Sequence, residues 1–514
     1  PVASEWIQAK DANVQDRHLQ DWWTVFQDQT LASLIETAYA QNLSLRVAGT
    51  RVLQARAQQA IAAGNLFPQN QQAIGQYSRV NLSHNTFNNP SAFSILSPTP
   101  IPPGTPIGNF YSDWTAGFNL SWELDFWGRL RRAVESSNAT LDASVENYDD
   151  ALVTLLSDVA TNYVQYRVAQ QRIKIARANV KIQEDILALV EEQQKVGINK
   201  VTMLDVNQAR TVLEQTRATI PALQIAQGQA NDVLCILLGV PPRDLGPELG
   251  PGPGLEAAPM PNTPTWVAAG VPADLLRRRP DVRSAERQVA AQSALIGVAE
   301  ADLYPTIFVN GTIGYEAFDL SKLFDSRSFL GTITPNFRWN ILNYGRIRNN
   351  VRQQQARTQE LIAAYQNTVL RAGQEVQTPL RGFLRSQEQA ESLARSVRAA
   401  TGALTIGRDQ YKVGTIPFNT VFNLATTQVQ QQDTLAVAQG NIALNLISVY
   451  RALGGGWELR LEKENCAPAS DAAAAPVAEP SQGPVAALLA PRPVPGPGAG
   501  ELLWRREPEG PGGP

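Results

Sequence analysis

The chain carries one pattern twice, and that constrains its fold more than any local signal. Trp122-Glu-Leu-Asp-Phe-Trp-Gly-Arg-Leu-Arg131 parallels Trp339-Asn-Ile-Leu-Asn-Tyr-Gly-Arg-Ile-Arg348, an offset of 339 − 122 = 217. Farther on, Lys195-Val-Gly197 parallels Lys412-Val-Gly414, again at 412 − 195 = 217. Two blocks keep one offset, so the segment between them has one length in both halves. Whatever the first half builds, the second half must build again.

The repeated segment has a helical pattern. Leu152, Val159, Tyr166, Ile173, Val180 and Leu187 fall at seven-residue steps, and adding 217 gives Val369, Val376, Phe383, Ala390, Val397 and Leu404. A sustained seven-residue period points to coiled-coil packing. From Leu130 to Val196, a rise of 1.5 Å per residue makes each helix about 100 Å long. Gly373 and Pro379 are expected to kink the second copy. Gly197 and Gly414 end the long helices, and return helices follow over about 202–238 and 418–453.

Ahead of each long helix the period changes to two. Trp114, Ala116, Phe118, Leu120, Trp122 and Leu124 alternate with Asp113, Thr115, Asn119, Ser121, Glu123 and Asp125. In the second half Gly331, Ile333, Pro335, Phe337, Trp339 and Ile341 alternate with Thr332, Thr334, Asn336, Arg338 and Asn340. Residues 305–316 and, more weakly, 70–83 supply partner strands, so each half holds one hairpin. Alternation alone fits a half-buried soluble sheet as well as a membrane barrel. Two equal heptad helices and no globular core to cover the sheet favour the barrel, with Trp122, Trp127, Trp339 and Tyr344 suited to its aromatic girdle. Four strands cannot close one, whereas three chains give twelve strands and a pseudo-six-fold ring. The architecture is a conduit.

Composition excludes several alternatives. A net charge of −3 over 514 residues lacks the basic face of a nucleic-acid binder. No apolar run reaches the roughly 20 residues of a spanning helix, a test to which barrel strands are blind. Two histidines, His18 and His84, and two cysteines, Cys235 and Cys466, leave no ligand set at metal-site spacing, no catalytic triad and no cofactor motif. An enzyme is not expected. The cysteines are either one disulfide or two free thiols.

These residues resemble the TolC-like outer-membrane efflux proteins, nearest the branch that serves resistance-nodulation-division pumps. The match rests on Asp21-Trp-Trp-Thr-Val-Phe-Gln-Asp28, Leu275-Leu-Arg-Arg-Arg-Pro-Asp-Val-Arg283, Gly297-Val-Ala-Glu-Ala-Asp-Leu-Tyr-Pro305 and Val449-Tyr-Arg-Ala-Leu-Gly-Gly-Gly-Trp457. The resemblance implies a mixed α/β homotrimer with a twelve-stranded transmembrane β-barrel in outer-membrane lipid and a coiled-coil helical barrel in the periplasm. It also implies a periplasmic adaptor and an inner-membrane pump as partners, with substrates leaving passively. Alternatives are a type I protein-secretion duct and a pore-less periplasmic adaptor.

The resemblance also places functional residues. Val196, Gly197 and Ile198, with Val413, Gly414 and Thr415, correspond to the tip where adaptor hairpins dock. Tyr411 corresponds to a gate tyrosine and Asp205 to the acid on a neighbouring hairpin. Where some relatives carry an acidic ring, this chain has Asn419, Thr420 and Asn423, so an amide-lined constriction, or one closed by Phe418 and Phe422, is expected instead of a cation-binding one. Many members of that branch begin with a lipidated cysteine; none stands near Pro1 in this sequence, which neither supports nor dismisses lipidation.

The organisation expected is an extended segment and collar over 1–30, a first repeat over 31–240 and a Pro/Gly-rich linker over 241–271. A second repeat over 272–454, a collar over 455–466 and a disordered Ala/Pro/Gly tail over 467–514 follow.

Overall fold

A computed structural model describes residues 19–81, 110–197, 201–250, 260–267 and 275–461. It divides after Trp457. The described part of the smaller unit, residues 458–461, is a single helical turn in which Leu461 N donates to Glu458 O. All that follows concerns the larger unit.

A 3-10 turn, Trp22–Phe26, leads into α1 (Gln29–Gln41), which Asp28 caps by accepting from Thr30 N and Leu31 N. Asn42 then caps α2 (Leu43–Gly64). After β1 (Asn70–Asn81) and β2 (Phe110–Leu124) come the long helix α3 (Arg129–Val196) and its return, α4 (Met203–Leu237). The second series is α5 (Pro280–Ala301), β3 (Thr306–Ala317), β4 (Phe329–Arg338), α6 (Arg346–Lys412) and α7 (Phe418–Ala452). β4 therefore stops at Arg338, and Trp339–Ile341 lie beyond it.

Both long helices begin on a left-handed glycine, Gly128 at φ +81° and Gly345 at φ +82°. A side chain is disfavoured there. Asp125 completes the first start, its two carboxylate oxygens accepting from Leu130 N and Arg131 N at 2.9 Å each. The second start has Leu342 in the corresponding place, and no carboxylate stands there.

The heptad row holds over Leu152, Val159, Tyr166 and Ile173, all buried. Below Ile173 the expected Val180 and Leu187 are only half-buried, and the buried row becomes Ala176, Gln183 and Val190. A helix with 3.6 residues per turn drifts about 20° per heptad against a 3.5 repeat, which hands the seam to the next row. There the seam is partly polar, with Asn179 Nδ2 donating to Gln432 Oε1 at 2.9 Å. In α6, Val376, Phe383, Ala390 and Leu404 are buried, and the helix continues through Gly373 and Pro379.

The four strands form one antiparallel sheet in the order β1-β2-β3-β4. Leu120 lies opposite Gly311 and Phe118 opposite Ile313, while Gly311 and Ile313 face Ile333 and Gly331. One face thus collects Phe118, Leu120, Ile313, Ile333 and Phe337, all exposed, Ile333 by 81%. The other face is an amide and hydroxyl ladder. Ser121 Oγ donates to Asn310 Oδ1 at 2.7 Å and Thr312 Oγ1 to Asn119 Oδ1 at 2.9 Å.

On that polar face Gly117 and Gly314 stand opposite each other, and a β-carbon on Gly117 would lie 2.5 Å from the Ile313 carbonyl oxygen. Because the obstacle is backbone, Gly117→Ala must separate the strands. It is expected to cost about 1–3 kcal/mol, read as a lower unfolding temperature of the detergent-solubilised protein.

Candidate functional site: helix tips and an arginine clasp

The ends of α3 and α6 and the starts of α4 and α7 share one small core. Ile186, Val190, Val206, Ala209, Leu404, Tyr411, Phe418, Val421 and Ala425 are buried in it, with Ile416 and Phe422 packed at its margin. The two helical hairpins of the chain are therefore fastened to each other near their turns. At the centre Tyr411, 1% exposed, meets Phe418, 4% exposed, edge to face with centroids 5.8 Å apart.

Both turns close on glycine. Gly197 has φ +72° and Gly414 φ +77°. After α6, Thr415 N donates to Gln410 O and Gly414 N to Tyr411 O, so the last carbonyls are satisfied. The side chains left outward are apolar: Val196 and Val413 are exposed, together with Met203 and Leu204. Gly197, Gly414 and Thr415 are exposed too, and Ile198 lies outside the described residues. Met203 and Leu204 escaped the sequence reading, although Thr202-Met-Leu-Asp205 is a helix-start signature followed by two exposed apolar residues.

Asp205 first serves its own helix. Its Oδ2 accepts from Thr202 N and Thr202 Oγ1, each at 2.8 Å, capping α4. Burial, with the Asp205 charge adding to it, pushes the Tyr411 hydroxyl up to about 12, so it stays protonated at neutral pH. The Phe418 ring is buried against Tyr411. Phe422 is half-buried, and Asn419 and Asn423, one helical turn apart, are exposed.

A second constellation was legible only as a motif. Arg279, buried, precedes α5 and bonds both carboxylate oxygens of Asp281 (2.9 and 2.7 Å), Glu375 Oε2 of α6 (2.7 Å) and Ala452 O at the end of α7 (3.0 Å). Gly454 lies against it, where a β-carbon would stand 3.2 Å from Arg279 Cα. Nearby, Arg283 covers the Trp457 ring at 4.4 Å, and Trp22 stacks on Tyr450 at 5.5 Å. The Arg-Arg-Arg-Pro-Asp and Gly-Gly-Gly-Trp motifs are thus two sides of one clasp joining α5, α6 and α7.

A cleft of about 740 Å³ opens beside the clasp, lined in part by Asp150, Arg371 and Pro379. Burial, with the nearby Asp281 and Glu375 charges, raises the Asp150 carboxyl above its ordinary value of 3.8, while Arg279 and Arg451 oppose the shift. The folded chain then holds that proton more tightly than the unfolded chain, so ionising Asp150 subtracts stability as pH rises above the ordinary carboxylate range. Asp150→Asn is expected to raise the unfolding temperature modestly at pH 7 and to leave it unchanged at about pH 3; melts at the two pH values check it.

Among the described residues no group of His, Cys, Asp and Glu could hold a metal ion, and no helix is long and apolar enough to cross a membrane. Cys235 is a buried free thiol, and Cys466 lies outside the described residues, as do His18 and His84. The described chain is thus a sheet with an uncovered apolar face carried on long helices that are fastened to one another at tip and clasp. The chain belongs to the outer membrane efflux protein family, whose model matches residues 34–240 and 271–455. It is 30% identical over 441 residues to the pyoverdine export outer membrane protein OpmQ of Pseudomonas putida, covering 85% of this chain and 88% of that one. The cation efflux system protein CusC of Escherichia coli is 28% identical, covering 85% and 88%. Among solved structures, the outer-membrane channel OprN matches with a TM-score of 0.80 at 29% identity over 89% of this chain and 97% of that one. The protein is an outer-membrane efflux protein with its helices in the periplasm.

Proposed function

We propose that this protein is the exit duct of a tripartite efflux system, a homotrimer that conducts small molecules passively to the exterior. The observation that carries this reading is the sheet: four strands, with both edges unpaired and one apolar face uncovered among the described residues, continuous with helices of 68 and 67 residues. In water such a sheet is an aggregation site, whereas in lipid three copies satisfy its edges and its face at once. The two halves, read as a duplication, turn three-fold symmetry into a near six-fold tube. The polar ladder faces the lumen and suits hydrated cargo.

A periplasmic adaptor docks on the exposed Val196, Gly197, Val413, Gly414 and Thr415 of the turns, joined by Met203 and Leu204, and an inner-membrane pump of the resistance-nodulation-division type drives transport. Relatives named for pyoverdine export and cation efflux support small-molecule cargo. The periplasmic end is the gate: Tyr411 and Asp205 hold the hairpins together, and Asn419 and Asn423 line the constriction.

Single-channel conductance in planar bilayers tests this. Asp205→Asn with Tyr411→Phe is the informative variant, because asparagine keeps an oxygen for the Thr202 cap and removes the charge. Small flickering wild-type pores that enlarge in the variant are expected. Pores of unchanged size would discard the gate while keeping the conduit, and folded protein that never forms pores would discard the conduit.

A further inference from the structure

The register sorts the charged residues of the strands onto two faces. Asp113 and Glu123 of β2 lie on the polar face, where Glu316 of β3 stands opposite Thr115 and Arg338 of β4 opposite Thr306. Arg79 is the exception. It stands opposite Ser112, in the same row as Trp114, Phe118 and Leu120, so it is the one charged side chain that the strands place on the apolar face.

Nothing near Arg79 in the chain neutralises it. Between Arg56 and Asp113 no other residue carries a formal charge when histidine is neutral. Arg79 is exposed and makes no hydrogen bond or ion pair among the described residues. The cations of the neighbouring β3–β4 loop are matched locally, Lys322 at 3.8 Å from Asp319 and Arg327 at 3.3 Å from Asp325.

The height of Arg79 on the sheet narrows what can meet it. Near the helices Trp122 marks one rim, its indole donating to Leu66 O at the end of α2. At the far end Tyr77 and Trp114 pair with centroids 4.3 Å apart. Trp114 and Trp122 are eight positions apart on β2. At about 3.4 Å per residue and a tilt of about 40°, the two aromatic levels are separated by about 21 Å. Arg79 lies two residues beyond Tyr77, about 5 Å farther out, where the roughly 25 Å apolar band of a membrane barrel ends. A guanidinium is costly at the bilayer midplane and tolerated at this level, where its stem lies along apolar surface and its head reaches the headgroups.

We propose that Arg79 is the centre of a binding site for a phosphorylated glycolipid of the outer leaflet, its guanidinium taking a headgroup phosphate by two parallel hydrogen bonds. The Tyr77 and Ser112 hydroxyls, 3.4 Å apart, are further donors, and the Tyr77 and Trp114 rings lie against the acyl chains. The site rests on the reading that the apolar face of the sheet meets lipid, and it names the lipid chemistry held at one point of that face.

Titration of the full-length, detergent-purified protein with diphosphoryl lipid A, followed by native mass spectrometry, tests it. Arg79→Gln is expected to bind lipid A roughly tenfold more weakly than wild type, Arg79→Lys to recover part of the loss, and Lys322→Gln to match wild type. Lipid A stripped of its phosphates is expected to bind wild type as weakly as intact lipid A binds Arg79→Gln. Equal lipid A affinity in wild type and Arg79→Gln, with equal unfolding temperatures and equal pore conductance, overturns the site and leaves the conduit standing. Phosphatidylglycerol held by wild type as tightly as lipid A overturns the assignment to a glycolipid. A wild type that stays folded and soluble without detergent and takes up no lipid overturns both the site and the lipid-facing sheet.

Discussion

Arg279→Ala is expected to lower the stability of the folded chain by about 3–5 kcal/mol. Arg279 is buried and bonds Asp281, Glu375 and Ala452 O, so the truncation leaves two carboxylates and a carbonyl facing a hole. Glu375 is more than half exposed, and water recovers part of its loss, which sets the effect near the lower end of that range. Arg279→Lys is expected to recover only a fraction, because one ammonium cannot reproduce the planar fork on Asp281 while also reaching Glu375 and Ala452. Thermal and denaturant unfolding of both variants provide the check. An unfolding temperature for Arg279→Ala matching wild type would mean that the clasp is ornamental and that Gly454 and Trp457 hold this junction without it.

Tyr411→Ala is expected to open the other end. The ring is the largest fully buried side chain of the tip core, and removing it leaves a cavity beside Phe418 worth about 3–5 kcal/mol. That loss falls where the helices end, so it shows as local opening before global unfolding. Faster amide exchange over 182–190 and 404–425, with larger and longer-lived pores, is the expected result. Comparison with Tyr411→Phe separates ring from hydroxyl: if both variants open the pore equally, the hydroxyl is the latch, and if only alanine does, the packing is. Wild-type exchange and wild-type pores in Tyr411→Ala would remove this core from any role in gating.

Much of the fold was legible because it is periodic and stated twice. The strand alternation around Trp114–Leu124, the heptad row from Leu152 to Ile173 and the glycines at 128, 197, 345 and 414 are local demands of backbone and side-chain geometry. The row failed below Ile173 because a fixed period cannot anticipate where a helix changes neighbours. The burial of Phe418 was not legible for a related reason: sequence shows that a residue is apolar and near a turn, but not which side of the helix its neighbours cover. Asp205 was found as an acid and missed as a cap, although Thr202 three residues earlier carried the signal.

By itself the sequence determined the repeated pattern and the element types, since these follow from spacing along one chain. Only the tertiary structure decided that both hairpins form a single sheet, that Tyr411 fastens one helical hairpin to the other, and that Arg279 gathers α5, α6 and α7. Those are contacts between residues 96 to 173 positions apart in the case of Arg279, and such distances are closed by packing and desolvation, which no local pattern encodes.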